Sequence, residues 1–458
     1  MIDSASFRDP SGFIVHEDDR ILRIVNSIYE KDYSYLTNSG LSELLISKKL
    51  LIPHQEISTD KIYSDSQYKV LEAEKIPFIT YPYEWSFSQF KDAALLTLEI
   101  EEIALEHQMM LKDATPYNIQ FHNGKAIFID TLSFEKTELN YEWKAYKQFC
   151  EFFLLPLCLM IYKDPRLSIL LKDFINGIPL DLGVKLIPSR HFIKPSLFLH
   201  LLLQNKIQNS KKQPITTKPG RIISKQQHSN LISYLKSFIQ SMSLPKIKTE
   251  WDAYYDETKG EKPEYFKSKE KVVEEFVKNI NPKTVWDIGA NDGHFSRIAS
   301  KFATQVISID YDWRCIEYCY NESQKNNIQN IVPVLSDLVN PSGGIGWNNE
   351  ERKPLFSRSE KPNLIMALAL MHHIINANVP FHKLLDLLCN TTEFAIIEYI
   401  PATDPKVELI FKSRGRDWKY IDETEFQNTI ETKFEIIEKQ ILEGSNRALY
   451  LLKVKSTK

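Results

Sequence analysis

Along the second half of the chain, short apolar runs recur at intervals filled by helix-length stretches of mixed polarity. Val285-Trp-Asp-Ile, Val306-Ile-Ser-Ile, Ile331-Val-Pro-Val-Leu, Leu364-Ile-Met-Ala-Leu-Ala-Leu and Phe394-Ala-Ile-Ile are such runs. Continuous rather than alternating apolar character marks strands covered on both faces. Two further runs, Phe434-Glu-Ile-Ile-Glu and Arg447-Ala-Leu-Tyr-Leu-Leu-Lys-Val, close the chain and predict antiparallel strands. The expectation for 270–458 is a seven-stranded, mostly parallel α/β sheet. The first half reads differently. Phe87 to Met110 has an Ala-Leu-rich helical pattern, and Tyr146 to Ile161 carries another that Pro156 would bend. Helices around a small sheet, an α+β domain over 1–205, follow from that pattern. A stretch from Lys206 to Lys225 with six basic residues, no acids, two prolines and a glycine reads as a linker over 206–228, either solvated or touching an anionic partner. Asn230 to Ile239 has helical spacing and opens a helical connector over 229–269, and a charged helix, Lys269 to Ile280, enters the first strand. Tyr254 and Tyr255 lie in this connector, as a lid or as simple packing.

The ends of the strands carry the chemistry. The first run closes on Asp287 and continues Ile-Gly289-Ala290-Asn291-Asp-Gly293 before a helix start, a D-x-G-x-x-x-G turn. A glycine-rich turn at a helix N-terminus ordinarily receives a pyrophosphate. An acid at its head would repel that group but could hold the cationic amino end of S-adenosylmethionine, directly or through water. Gly289 and Gly293 would then let the backbone approach the methionine and ribose. The second run ends in Asp310, 17 residues after Gly293, placed to accept from ribose hydroxyls. The third leads to Ser336-Asp337-Leu338, where an acid can take the adenine amino group and the neighbouring backbone a ring nitrogen.

These residues resemble those of class I S-adenosylmethionine-dependent methyltransferases over about 250–458, and the stretch from Trp251-Asp-Ala-Tyr-Tyr255 through Ala369-Leu-Met-His-His373 to Arg447-Ala-Leu-Tyr450 is similar to bacterial methyltransferases related to the nodulation host-specificity proteins. The resemblance implies a Rossmann-like sheet and a cofactor pocket built from Asp287, Gly289, Gly293, Asp310 and Asp337. His372 and His373 follow the fourth run, where an acceptor would meet the sulfonium. One of them could deprotonate a hydroxyl or amine; alternatively, one packs and the other caps the next helix. Glu398, closing the fifth run, is a further pocket candidate. No third ligand accompanies the histidines, so no metal is expected there.

The first half holds a second motif. Asp113, a proline three residues on and Asn118 precede a His-Asn-Gly turn and an apolar strand ending in Asp130. That order resembles the catalytic loop and metal-binding acid of kinase-like phosphotransferases, especially the aminoglycoside-phosphotransferase-like branch. It implies ATP, with Mg²⁺ at Asn118 and Asp130 and Asp113 facing an acceptor. Lys112 before the acid, Thr131-Leu132 after the last, and no glycine-rich loop beyond Gly12 depart from the pattern. Lys69 and Lys75 both compete for the phosphate-pairing role. The alternative is a helical domain in which Asp113 caps a turn and Asp130 merely ends a strand.

Composition narrows the acceptor. A formal charge of −3 in 458 residues, and the lack of an Asn-Pro-Pro-Tyr or Asp-Pro-Pro-Tyr loop, argue against a nucleic-acid substrate. Five scattered cysteines, no secretory-type leader and no apolar stretch of spanning length point to a reduced cytoplasmic protein. The expected activity is methyl transfer to oxygen or nitrogen of a small molecule, sugar or glycoconjugate, with a protein side chain second. The competing class is a regulatory or scaffold protein with a pseudokinase-like nucleotide-binding domain.

Overall fold

The computed structural model describes residues 1–137, 140–210, 222–245, 263–412 and 420–455. Residues 211–221 of the basic linker, and Tyr254 and Tyr255 with their proposed lid, lie outside the described residues. The chain forms two compact units, the first comprising Met1–Lys246 with Gly343–Pro354, the second Ile247–Ser342 with Leu355–Lys458.

In the first unit a four-stranded antiparallel sheet has the order β1 (Gly12–Glu17), β2 (Arg20–Asn26), β4 (Gln67–Ala73), β3 (His54–Glu56). The helices Glu30–Asn38 and Leu41–Ser47 intervene between β2 and β3. After the helix Phe87–Glu106 come two small ladders, β5 (Met109–Leu111) with β8 (Phe134–Lys136), and β6 (Ile119–His122) with β7 (Lys125–Phe128). Asn123 and Gly124, both at positive φ, make the two-residue turn between β6 and β7. Pro156 falls at the start of Leu155–Tyr162, just after a wide π turn at Cys150–Leu154. The missing proline N–H is thus accommodated by a change of helical pitch.

The connector expected over 229–269 divides differently. Its helix Lys225–Gln240 belongs to the first unit, because His228 meets the buried Glu101 at 3.2 Å, Lys236 pairs with Glu102 at 2.7 Å, and Lys91 caps the helix end at the Gln240 carbonyl. The division therefore falls near 246 and not near 205.

The second unit is the expected sheet. Seven strands lie in the order β11 (Ile331–Leu335), β10 (Gln305–Asp310), β9 (Thr284–Ile288), β12 (Leu364–Ala367), β13 (Phe394–Tyr399), β15 (Ala448–Val454), β14 (Phe434–Ile441). β11 to β13 are parallel and β15 runs antiparallel to both its neighbours. Pro333 is tolerated because β11 is an edge strand, where a missing N–H costs least.

The helix Pro263–Ile280 covers one face of this sheet. Tyr265, Phe266, Val272, Val273, Phe276 and Val277 form its buried stripe, each full burial contributing about 2 kcal/mol. Lys269 sits inside the same stripe and is itself buried. Its ammonium meets the Glu398 carboxylate at the end of β13 at 2.7 Å. Arg447 adds a second cation at 3.3 Å from Glu398 and pairs with Asp404 at 2.9 Å, while the Tyr265 hydroxyl donates to Glu398 at 2.6 Å. Burial alone would raise the Glu398 carboxyl, yet the Lys269 and Arg447 charges hold it down to about 2. Truncating one partner of such a pair strands the other in a dry site. Lys269→Ala is therefore expected to lower the unfolding free energy of the second unit by about 3 kcal/mol, measured as a reduced urea midpoint with an unchanged slope. A wild-type midpoint would show that the ion pair does not hold this helix.

Candidate cofactor site and a second polar cluster

β9 ends in the glycine turn, as its sequence predicts. Gly289 and Gly293 both adopt φ of 76° and Asn291 51°, so the chain reverses twice before the helix His294–Ala299. The Gly289 and Ala290 amides both donate to the Ile309 carbonyl, at 2.9 and 3.0 Å, and fasten the turn to the end of β10. One residue on, Asp310 accepts from the Asn291 amide at 2.8 Å and the Asp312 amide at 2.9 Å, and the Tyr311 amide also donates to it. A carboxylate accepts about four hydrogen bonds, so capacity remains for a ligand hydroxyl. Burial pushes this carboxyl up to about 6 against those bonds.

A cavity of about 390 Å³ opens beside these strand ends, within the range of small-molecule sites. Gly289, Asn291, Asp310, Asp337 and Leu338 line it, together with Leu368–Leu370, His373 and Asn376. Its walls are mainly apolar, Ile309, Val339, Leu370 and Ile374 among them. Three expected pocket residues stand elsewhere. Ala290 is buried beneath the turn and does not line the cavity. Gly293 serves packing, since a Cβ there would come within 2.4 Å of the Cys319 sulfur. Asp287 is also absent from the lining; it is buried and accepts from the Ser296 hydroxyl at 2.6 Å, its carboxyl pushed up to about 7 by burial.

His373 reaches the cavity and His372 lies behind it, the two rings 4.0 Å apart. Neither caps the helix Met371–Asn376, whose N-cap is Leu370. Burial first, then the Lys406 charge, lowers His373 to about 4, and burial with the neighbouring cations takes His372 well below its ordinary value. Both imidazoles are neutral at physiological pH, and such weakly basic rings position an acceptor better than they deprotonate it. Glu398 is no part of the cavity; Lys269, Arg447 and Tyr265 occupy its carboxylate. Sequence reasoning missed Tyr311 and Ala369. Both line the cavity, and Ala369 holds a φ of 50°, which no sequence pattern signals.

The first unit does bring Asp113, Asn118 and Asp130 together. The Asn118 amide donates to Asp113 at 3.2 Å and to Ser133 Oγ at 3.0 Å, and the Ser133 hydroxyl donates to Asp130. Gln148 holds the other Asp113 oxygen at 2.6 Å. Asp113 caps no turn, since Thr115 caps the one at Pro116–Asn118; burial and the Asp130 charge raise its carboxyl. The cation at this cluster is neither Lys69, paired with Glu56, nor Lys75, paired with Asp19. It is Arg23 of β2, which meets Asp130 at 2.5 Å and the Ile129 carbonyl at 3.1 Å. Lys112 points at Ser11 Oγ, 2.7 Å away. Among the described residues no group of three or more His, Cys, Asp or Glu side chains is arranged to hold a metal ion, and no helix is long and apolar enough to cross a membrane.

The strand order with its antiparallel seventh strand, the glycine turn and the acids closing β10 and following β11 define the second unit as a methyltransferase-type α/β domain of class I. The whole chain is 31% identical over 462 residues to the nodulation protein NoeA of Rhizobium meliloti (strain 1021), covering 98% of this chain and 95% of that one. The chain belongs to the NoeA family. No family model matches it. Among solved structures, it is similar to the N-methyltransferase NodS from Bradyrhizobium japonicum WM9, at 11% identity and a TM-score of 0.33, over 43% of this chain and 99% of that one. It is also similar to WbdD, at 20% identity and a TM-score of 0.32, over 48% of this chain and 46% of that one. The fold assignment rests on the strand order and not on these likenesses.

The two buried acids give the ligand-free protein a pH dependence of defined sign. Their folded pKa values, about 6 for Asp310 and about 7 for Asp287, lie above the ordinary 3.8, so the folded state keeps protons that the unfolded chain has released. Their contribution to stability is therefore complete below about pH 4 and is lost as pH rises through 6 and 7. His372 and His373, with lowered values, contribute the opposite trend below their unfolded value of 6.5. Comparing wild type with Asp310→Asn removes that background. The variant's melting temperature should gain on wild type between pH 4 and 7, and a constant difference would contradict the assignment.

Proposed function

We propose that the second unit binds S-adenosylmethionine and transfers its methyl group to an oxygen or nitrogen of a small molecule, sugar or glycoconjugate. The observation that supports this reading is the cavity at the strand ends, which the Asp310 carboxylate lines beside an apolar slot walled by Leu338, Leu370 and Ile374. Asp310 would accept from the ribose hydroxyls and Asp337 from the adenine amino group, while Gly289 and Asn291 border the methionine side. The bound cofactor supplies a sulfonium methyl, an electrophile that needs only an aligned nucleophile. The protein's task is then orientation and exclusion of water. His373, neutral at the cavity wall, would hold the acceptor's hydroxyl or amine by a hydrogen bond, with His372 supporting its ring. Asp287 would act on the amino end from beneath the turn, with the cofactor's cation drawing its carboxyl into the charged form.

Calorimetry with S-adenosylhomocysteine tests the site. Asp310→Ala should weaken binding by about 1–3 kcal/mol, since the ribose loses a charged acceptor. Gly289→Val should weaken it further, because Gly289 has φ of +76° and its Cβ would lie 3.1 Å from Leu370 Cδ1. Wild-type affinity in both variants would end the cofactor reading.

A second reading concerns the first unit, and the meeting of Asp113, Asn118 and Asp130 in one cluster favours it. We infer a kinase-like nucleotide site in which Arg23 stands for the phosphate-pairing lysine, with Asn118 and Asp130 as the residues that would hold Mg²⁺. Arg23 already neutralises Asp130, so a metal ion would compete with a bound guanidinium for the same carboxylate. Nucleotide binding without efficient phosphoryl transfer is the expected behaviour. ATP should bind in a Mg²⁺-dependent manner and lose that dependence in Asp130→Asn; ATP binding that Mg²⁺ does not change would sink this reading.

A further inference from the structure

Between Asp181 and Glu250 the chain carries twelve of its 57 Lys and Arg residues and none of its 60 acids. The basic stretch from Lys206 to Lys225 is thus the middle of a longer acid-free segment, and neither proposed activity uses it. Against a formal charge of −3 for the whole chain, that segregation concentrates positive charge in one part of the first unit. Lys225 and Lys236 are paired with Glu106 and Glu102 of the helix Phe87–Glu106. Lys185, Arg190 and Lys206 are exposed and meet no acid among the described residues.

The same segment exposes large apolar side chains. A tight 3₁₀ turn, Ser189–Ile193, leads into a continuous helical stretch made of Pro195–Leu197, a wide π turn at Phe198–Leu203, and Gln204–Ser210. Leu197, His200 and Leu201 face inward and are buried. The His200 ring shares a hydrogen bond of 2.6 Å with the Tyr146 hydroxyl and lies 5.4 Å from the Tyr234 ring, so the rotation of the stretch about its axis is fixed. That rotation leaves Phe198, Leu199 and Leu203 outward, 42, 46 and 36% exposed, and Ile193 just ahead of them is 85% exposed. Single exposed apolar residues are ordinary on any surface, whereas four within eleven residues mark a contact face.

Cations surround this face. Residues three apart eclipse one another in a 3₁₀ turn, so Arg190 lies along the same edge as Ile193. Lys194 enters the helical stretch with its ammonium 3.1 Å from the Tyr162 hydroxyl, and Lys206 follows Leu203 by three residues. Acids on neighbouring elements do not cancel these charges: Glu151 pairs with Lys147 at 3.6 Å, Asp164 pairs with Arg166 at 2.7 Å, and Asp181 stands at the opposite end of the helix Leu180–Leu186 from Lys185. A second copy of the chain would set like charges against one another across a two-fold contact. A nucleic acid would engage the cations and leave the aliphatic side chains in water. Anionic headgroups above acyl chains satisfy both, since lysine and arginine reach the phosphates while phenylalanine and leucine enter the hydrocarbon.

We propose that the face of Ile193, Phe198, Leu199 and Leu203, flanked by Arg190 and Lys206, docks the first unit on an anionic membrane surface. The helical stretch lies in the plane of the interface with its outward side chains at the acyl boundary, and no part of it crosses the bilayer. Attachment by a few side chains and a few charges is reversible. It weakens when salt screens the headgroups and when the surface loses its negative lipid.

Co-sedimentation of the full chain with vesicles tests this, using phosphatidylcholine mixed with phosphatidylglycerol against phosphatidylcholine alone. Wild-type protein should bind the mixed vesicles about tenfold more tightly, and the preference should shrink as salt is raised. Leu199→Glu places a charge at the acyl boundary and should lower binding about tenfold with the melting temperature unchanged, because Leu199 is already exposed. Arg190→Gln combined with Lys206→Gln keeps every apolar side chain, so it decides the matter even if the glutamate variant fails to fold; it should weaken binding severalfold and flatten the salt dependence. Equal binding to the two vesicle types, binding to neither, or wild-type affinity in the Arg190→Gln, Lys206→Gln variant overturns the proposal. A dimer that Leu199→Glu dissolves, or capture of single-stranded RNA in place of vesicles, gives the face to another occupant and overturns it too.

Discussion

The second unit depends on one buried ion pair. An ammonium and a carboxylate taken out of water each lose solvation worth several kcal/mol, recovered only when geometry is good and the remaining valences are filled. Lys269 and Glu398 meet both conditions, because Arg447 and Tyr265 complete the carboxylate and the Phe295 ring faces the ammonium at 4.7 Å. Phe295 opens the helix that leaves the glycine turn, and Glu270, the next residue on the covering helix, reaches His294 at 2.7 Å. The covering helix therefore holds the end of β13 and the exit of the glycine turn together. Apolar side chains could supply equal packing but not this direction, for a charge pair fixes rotation and register where a hydrophobic stripe tolerates sliding.

What was legible in the sequence is local. The apolar runs, the acids that close them and the glycine turn are defined by neighbours within a few residues, so the sheet and the strand ends that border the cavity followed from them. Asn123-Gly124 likewise gave its hairpin, because only a turn with two left-handed residues suits that pair. Contacts between distant segments were not legible. The reason for Gly293 is Cys319, and the reason Glu398 is no pocket residue is its union with Lys269 and Arg447, all far apart in sequence. One signal was available: Lys269 interrupts the apolar stripe of its helix, and a lysine in such a place needs a buried acid.

The first unit shows the same limit in reverse. Spacing alone brought Asp113, Asn118 and Asp130 to one cluster, because a loop, a tight hairpin and a short strand leave the chain little choice. The partner cation could not be read, since Lys69 and Lys75 lie on or beside a strand as plausibly as Arg23 does. Electrostatics decides it: Lys69 and Lys75 have exposed acids of their own, whereas Arg23 is largely enclosed with Asp130. The place of Gly343–Pro354 in the first unit was hidden for a different reason. A loop between two strands of one sheet is ordinarily assigned to that sheet, and nothing in Gly343–Pro354 announces Arg8 as the partner of its Glu351.

The close fit of Gly293 against Cys319 bears on the chemical durability of the protein. The thiol is buried, its pKa is pushed to about 12 by that burial, and a glycine Cα fills the space into which an added oxygen would have to grow. Oxidants and alkylating reagents therefore meet an unreactive, shielded sulfur while the turn is intact. Chemistry at this sulfur must wait for its packing to open, so the contact that shapes the glycine turn also shields the thiol.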